Sequence, residues 1–158
     1  MLPFRHSPHR DAQVFGEGAH APRQTRYLLR SQIDEHVTDG AALADLEVMV
    51  SELVTNAFLH AGGPCELRIL HHAGVPVAVE IVDTGGGLDQ ITACLRYGAR
   101  RSAPEAIDSE SLDLGGRGLA IVAWLSGGRC GVHTTRLSTT GQPGESVWFA
   151  IAHATDVG

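Results

Sequence analysis

The sequence predicts an α+β two-layer sandwich: a mostly antiparallel sheet with helices on one face. Three observations carry that expectation. Apolar residues recur at helical spacing over 21–37, over 42–61 and again after Gly118. They alternate with polar ones over 65–69, and a similar alternation runs through 75–82 and 145–152. The order is strand, helix, helix, hairpin, long connection, helix, hairpin, which suits helices laid on one side of antiparallel strands.

Each element has its own signal. Residues 1–13 are polar, carry Pro3 and Pro8, and read as a flexible arm in which His6 and His9 have no carboxylate or Cys cluster to make a metal site. A single domain follows over 14–154. Its first strand falls near 14–20. Ala21-Pro22 starts a helix, Leu29, Ile33 and Val37 give its stripe, and Asp39-Gly40 breaks the chain. Leu43, Leu46, Val50, Leu53, Val54 and Ala57 define the strongest helix, stopped by Gly62-Gly63-Pro64. Cys65, Leu67 and Ile69, then Val75, Val77, Val79 and Ile81, form a hairpin turning around His72–Gly74. Residues 84–115 are a long connection with a short helix near 88–97, read as a lid over a ligand, with a plain disordered loop as the alternative. Gly115-Gly116-Arg117-Gly118 opens a helix to Ser126, and Gly127-Gly128 ends it. Strands near 129–136 and 145–152 close the domain, with Val147, Phe149 and Ile151 alternating on the last.

Composition removes whole classes of function. The chain has 158 residues, 43% of them hydrophobic, enough for a buried core. No apolar run approaches the roughly 20 residues of a membrane span, and the N-terminus lacks a secretory apolar stretch. The formal charge is −6 with no basic stripe, which weighs against nucleic acid. All 12 basic residues are Arg. Without Lys there is no Walker A loop, no eukaryote-type protein kinase and no Schiff-base chemistry. Cys65, Cys94 and Cys130 are scattered and read as reduced thiols of a cytoplasmic protein.

Three segments carry chemistry. Glu52, Asn56 and His60 stand at i, i+4 and i+8, each step turning the helix by about 40°, so they share one stripe. A carboxylate one turn before an amide suits a hard cation with oxygen ligands, and a solvated helix face also explains it. Asp83 ends a strand and precedes Gly85-Gly86-Gly87. Such an Asp accepts from an exocyclic amine, and the glycines let backbone approach a ligand; a tight turn is the plainer reading. The Gly115-Gly116-Arg117-Gly118 run begins a helix, where unpaired N–H groups and the dipole favour phosphate; a flexible hinge also explains it. A Rossmann loop is disfavoured, since no third Gly follows Gly87 at the required spacing.

In this order the three segments resemble the GHKL (Bergerat-fold) ATP-binding superfamily. Within it the likeness is to bacterial anti-sigma-factor serine/threonine kinases and the related small ATP-binding regulators common in actinobacteria. Glu52-Leu-Val-Thr-Asn56-Ala-Phe-Leu-His60 looks like the N box, Asp83-Thr-Gly85-Gly-Gly87 like the G1 box, and Gly116-Arg-Gly118-Leu-Ala-Ile-Val like the G2 box. Gly144-Glu-Ser146-Val-Trp-Phe is similar to the family's last strand. The resemblance implies ATP and Mg²⁺ as cofactors. It implies that Asn56 ligates the metal, that Glu52 is the general base, and that Asp83 binds the adenine amine with Gly85 and Gly87 shaping the pocket. It implies further that Gly116, Arg117 and Gly118 hold phosphate through their N–H groups, and that Ser146 stands near the adenine. His60 supports the phosphate side or packs. The implied partners are an anti-anti-sigma protein and a sigma factor, with a homodimer possible. Arg23, Arg26 and Arg30 are candidates for partner contact or an ordinary solvated face. His36 is unconvincing as a phospho-acceptor. The alternative function is a nucleotide- or protein-binding regulator without catalysis.

Overall fold

The computed structural model describes residues 9–15, 21–33, 35–37, 39–61, 65–101, 116–138 and 140–152. The first strand, β1 (His9–Phe15), begins inside the expected arm. So 9–13 are sheet, while 1–8 and 16–20 lie outside the described residues. Helix α1 (Ala21–Ile33) is shorter than its apolar repeat. The N–H groups of His36 and Val37 both donate to the Ile33 carbonyl at 2.9 Å, which closes a turn. Val37 remains buried after the helix has ended. An apolar period therefore outlasts the hydrogen-bond ladder.

Asp39 does more than break the chain. Its Oδ1 accepts the Ala41 N–H at 3.0 Å and its carbonyl accepts the Leu43 N–H, so it caps α2 (Gly40–Ala61). Leu46, Met49, Val50, Leu53, Val54 and Ala57 bury the inner side of this helix. Next come β2 (Cys65–His72) and β3 (Val75–Asp83), joined by a two-residue turn in which Ala73 and Gly74 both have positive φ. Then follow α3 (Leu88–Ala99), α4 (Gly116–Leu125), β4 (Cys130–Arg136) and β5 (Pro143–Ala150). The second half of the expected lid, 102–115, lies outside the described residues.

The sheet has five strands in the order β1-β2-β3-β5-β4, every pair antiparallel. One face carries Cys65, Leu67, Ile69, Val79, Ile81, Val147 and Phe149, all in the core cluster with the buried sides of the helices. The α+β sandwich is as the sequence predicts. The other face holds Glu66, Arg68, Glu80 and Ser146, and these polar residues are buried too. No helix among the described residues is long and apolar enough to cross a membrane.

Candidate functional site

Helix α2 brings Asn56 to the carboxyl end of β3, into one cleft with Asp83, and Glu52 to the first turn of α4. Asn56 is buried at 8% exposure, yet its Oδ1 has no hydrogen-bond partner among the described residues. Leaving a buried acceptor unpaired costs about 1–3 kcal/mol, so the arrangement calls for a donor or cation from beyond the described residues.

At the end of β3 the Asp83 Oδ1 accepts the Gly85 N–H at 2.8 Å, an Asx-turn that fixes the carboxylate. Gly87 then takes φ 100°, ψ 32°, a left-handed conformation that glycine adopts without strain. It starts α3 with no side-chain cap of its own. The result is a small cleft of about 40 Å³, with Asn56, Asp83, Gly87 and Gly116 on its walls. Gln90, Ile91 and Cys94 of α3, Leu119 of α4 and Gly86 complete the lining. The lining mixes apolar Ile91, Cys94 and Leu119 with polar Asn56, Asp83 and Gln90, the combination that small-molecule sites use.

Helix α4 brings its first turn to Glu52. Gly116 and Gly118 are buried and Arg117 is exposed. A Cβ added at Gly118 would stand 2.5 Å from Glu52 Oε2, so the glycine makes room for that carboxylate. The N-terminal end of α4 thus meets both Asn56, through the cleft, and Glu52.

The expected site residues therefore separate. Glu52, Asn56, Asp83, Gly87, Gly116 and Gly118 come together, and Gly85 joins through Asp83. Arg117 turns to solvent, leaving its backbone as its contribution to α4's first turn. His60 ends α2, and its side chain is outside the described set. Ser146 is a correction. Its Oγ donates to Glu80 Oε2 at 2.7 Å on the opposite face of the sheet, away from the cleft. The physical reason is the strand's period of two: Val147 and Phe149 face the helices, so Ser146 cannot.

The residue on the helix side is Glu145. It pairs with Asp83 across β3 and β5, and its carboxyl accepts the Leu88 N–H at the start of α3. Burial first, and then the charge of Asp83, push this carboxyl above its ordinary range. The alternation of Val147, Phe149 and Ile151 was the sequence signal that could have found it. Gln90, Ile91 and Cys94 had a weaker signal, a short helix of uncertain phase. Burial pushes the nearby Cys65 thiol up to about 12, with Asp83 adding to the shift, so Cys65 is an inert core thiol. None of the three cysteines is in a disulfide.

The model of the histidine kinase-like ATPase domain matches residues 19–128. The chain belongs to that family. The matched span of this histidine kinase-like ATPase domain runs from α1 to the end of α4 and includes every residue that lines the cleft; Glu145 lies beyond it. Among solved structures, a chain in the crystal structure of the SiaB–SiaC complex from Pseudomonas aeruginosa has the same fold, at TM-score 0.64 and 13% identity, with 89% of each chain covered. No curated protein matches the sequence.

Proposed function

We propose that this histidine kinase-like ATPase domain binds ATP with Mg²⁺ in the α2–β3–α4 cleft. We further propose that it acts in the cytoplasm as an anti-sigma-type serine/threonine kinase on an anti-anti-sigma partner. The observation that carries the reading is Asn56: a buried amide oxygen, unpaired among the described residues, on the wall of a cleft that Asp83 also lines. Among the described residues no group of three His, Cys, Asp or Glu side chains could cage a metal by itself. Mg²⁺ suits such a place, because it is commonly held by one or two protein oxygens while phosphates and water fill the rest. When bound it neutralises charge on the phosphates.

The chain's own groups do the remaining work. Asp83, oriented by the Gly85 N–H, accepts from the base's exocyclic amine. Apolar Ile91 and Leu119 take the ring. The first turn of α4 offers N–H groups and a favourable dipole to the phosphates. Glu52, lodged beside that turn, accepts the proton of an attacking hydroxyl. Phosphoryl transfer asks mainly for positioning and charge compensation, which this set supplies without Lys. The structural likeness to a chain in a two-protein complex supports a protein partner.

The test is a calorimetric titration of Mg·ATP into the protein beside Asn56→Ala. Saturable heat in the wild type that disappears in the variant is the expected result. Flat titrations of both, with no thermal shift, would sink the nucleotide reading. Transfer is tested separately with labelled ATP and a Ser-bearing partner. Binding that persists without transfer would move the protein to the non-catalytic regulators.

A further inference from the structure

Two carboxylates face each other across a strand pair beside the cleft: Asp83 lines it, and Glu145 is the partner of Asp83 on β5. Asp83 and Glu145 are direct cross-strand partners, a placement that brings Cβ atoms to about 4.5–5.5 Å and is unfavourable for like charges. The packing holds them there. A Cβ at Gly144 would lie 2.5 Å from the Asp83 carbonyl oxygen and 2.9 Å from Leu137 Cδ1, so β5 can ride this close to the end of β3 only with glycine at 144. On the other side Glu145 is tied to the Leu88 N–H, between Gly87 and Gln90, both of which line the cleft. The carboxyl is therefore half-buried next to three residues of the lining, Asp83, Gly87 and Gln90. One N–H leaves most of a carboxylate's acceptor capacity unused.

A repelling pair kept beside a cleft is relieved by a ligand that donates to it. It is aggravated by a ligand that presents another acceptor. Resting on the nucleotide reading above, we propose that Glu145 is a specificity-determining residue of the cleft: together with Asp83 it selects a base bearing an exocyclic amine over one bearing a carbonyl at the same position. Asp83 alone accepts from the amine. Glu145 adds a second negative group that a carbonyl oxygen must approach, so it acts more by rejecting the wrong base than by holding the right one.

The probes are ATP and inosine triphosphate, which carries a carbonyl where ATP has its amine. Both are titrated with Mg²⁺ into wild type, Glu145→Ala and Glu145→Gln, with melting curves confirming that each variant folds. The ATP-over-inosine preference should fall from wild type to Ala, where the charge is gone. It should fall further to Gln, whose amide can donate to the carbonyl. A loss of about fivefold in the ratio is expected, the scale of one hydrogen bond in a half-enclosed site. A merely structural Glu145 would weaken both nucleotides alike. An unchanged ratio in proteins that bind both nucleotides overturns this inference alone. Wild type that binds neither overturns the nucleotide reading and this inference with it.

Discussion

The two faces of the sheet treat polar groups in opposite ways. On the face away from the helices, Arg68 is only 3% exposed, and its guanidinium is fully engaged. Nε and Nη2 donate to Glu66 Oε2 at 3.2 and 2.9 Å. Nη2 also donates to the Arg136 carbonyl and to Ser138 Oγ, and Nη1 donates to Thr135 Oγ1. Glu80 stands 3.5 Å from Nη1 and accepts from Ser146. On the helix face Asn56 keeps an acceptor with no partner among the described residues, and Asp83 and Glu145 repel each other. On the Arg68 side each buried charge meets an opposite charge, at Glu80 Oε1 through a 3.5 Å ion pair in place of a hydrogen bond, whereas Asn56 Oδ1 beside the cleft meets no partner among the described residues. Charge and burial alone do not distinguish them, since Arg68 is more deeply buried than any group of the cleft.

The largest expected effect lies on the Arg68 side. Arg68→Ala leaves Glu66 and Glu80 buried without their cation, and we expect a loss of about 3–5 kcal/mol in denaturant unfolding. Asn56→Ala, tested in the same way, should cost far less, because it removes an acceptor that was already unpaired. If the two variants lost equal stability, the contrast between the faces would fail.

A middle-sized effect sharpens the cleft side. Gly118→Ala should push the Glu52 carboxylate from its place and slow transfer by about tenfold or more, in line with losses from misplaced reacting groups. Nucleotide affinity should hold. Stability should not fall much, since Ala is the better helix former. Glu52→Asp in the Gly118→Ala background shortens the acid by one methylene and should recover part of the rate. A double variant slower than either single one would show that Gly118 acts in some other way.

The smallest effect is a pH dependence. The folded protein holds the Glu145 proton more tightly than the unfolded chain does, through burial and the charge of Asp83. Its stabilising contribution is therefore present below the unfolded carboxylate pKa and lost as pH rises through the raised folded value. Glu145→Gln should gain on the wild type in melting temperature as pH increases over that window, then run parallel to it. A constant difference at all pH values would mean that Glu145 does not titrate there.

Much of this was legible in the residues. The Glu52–Asn56 spacing put both on one stripe, and that stripe reached the site. Gly87 after Asp83 was recognisable because few residue types sustain its left-handed backbone. The error at Ser146 was one of parity: a motif was matched by position without asking which way the strand pointed. The start of β1 was missed because a polar edge strand has weak alternation, and its pairing to β2 is a long-range event.

By itself the sequence determined the kinds of element and their order, because hydrophobic period is a local property written along the chain. It also determined the absence of lysine chemistry and the three segments around which the cleft forms. Only the tertiary structure decided that Glu66, Arg68 and Glu80 are buried together, that Glu145 meets Asp83, and that Gly118 cedes its volume to Glu52. Those are pairings between residues far apart in the chain. Their energies depend on desolvation and on which partners arrive, and neither is set until the sheet and helices have packed.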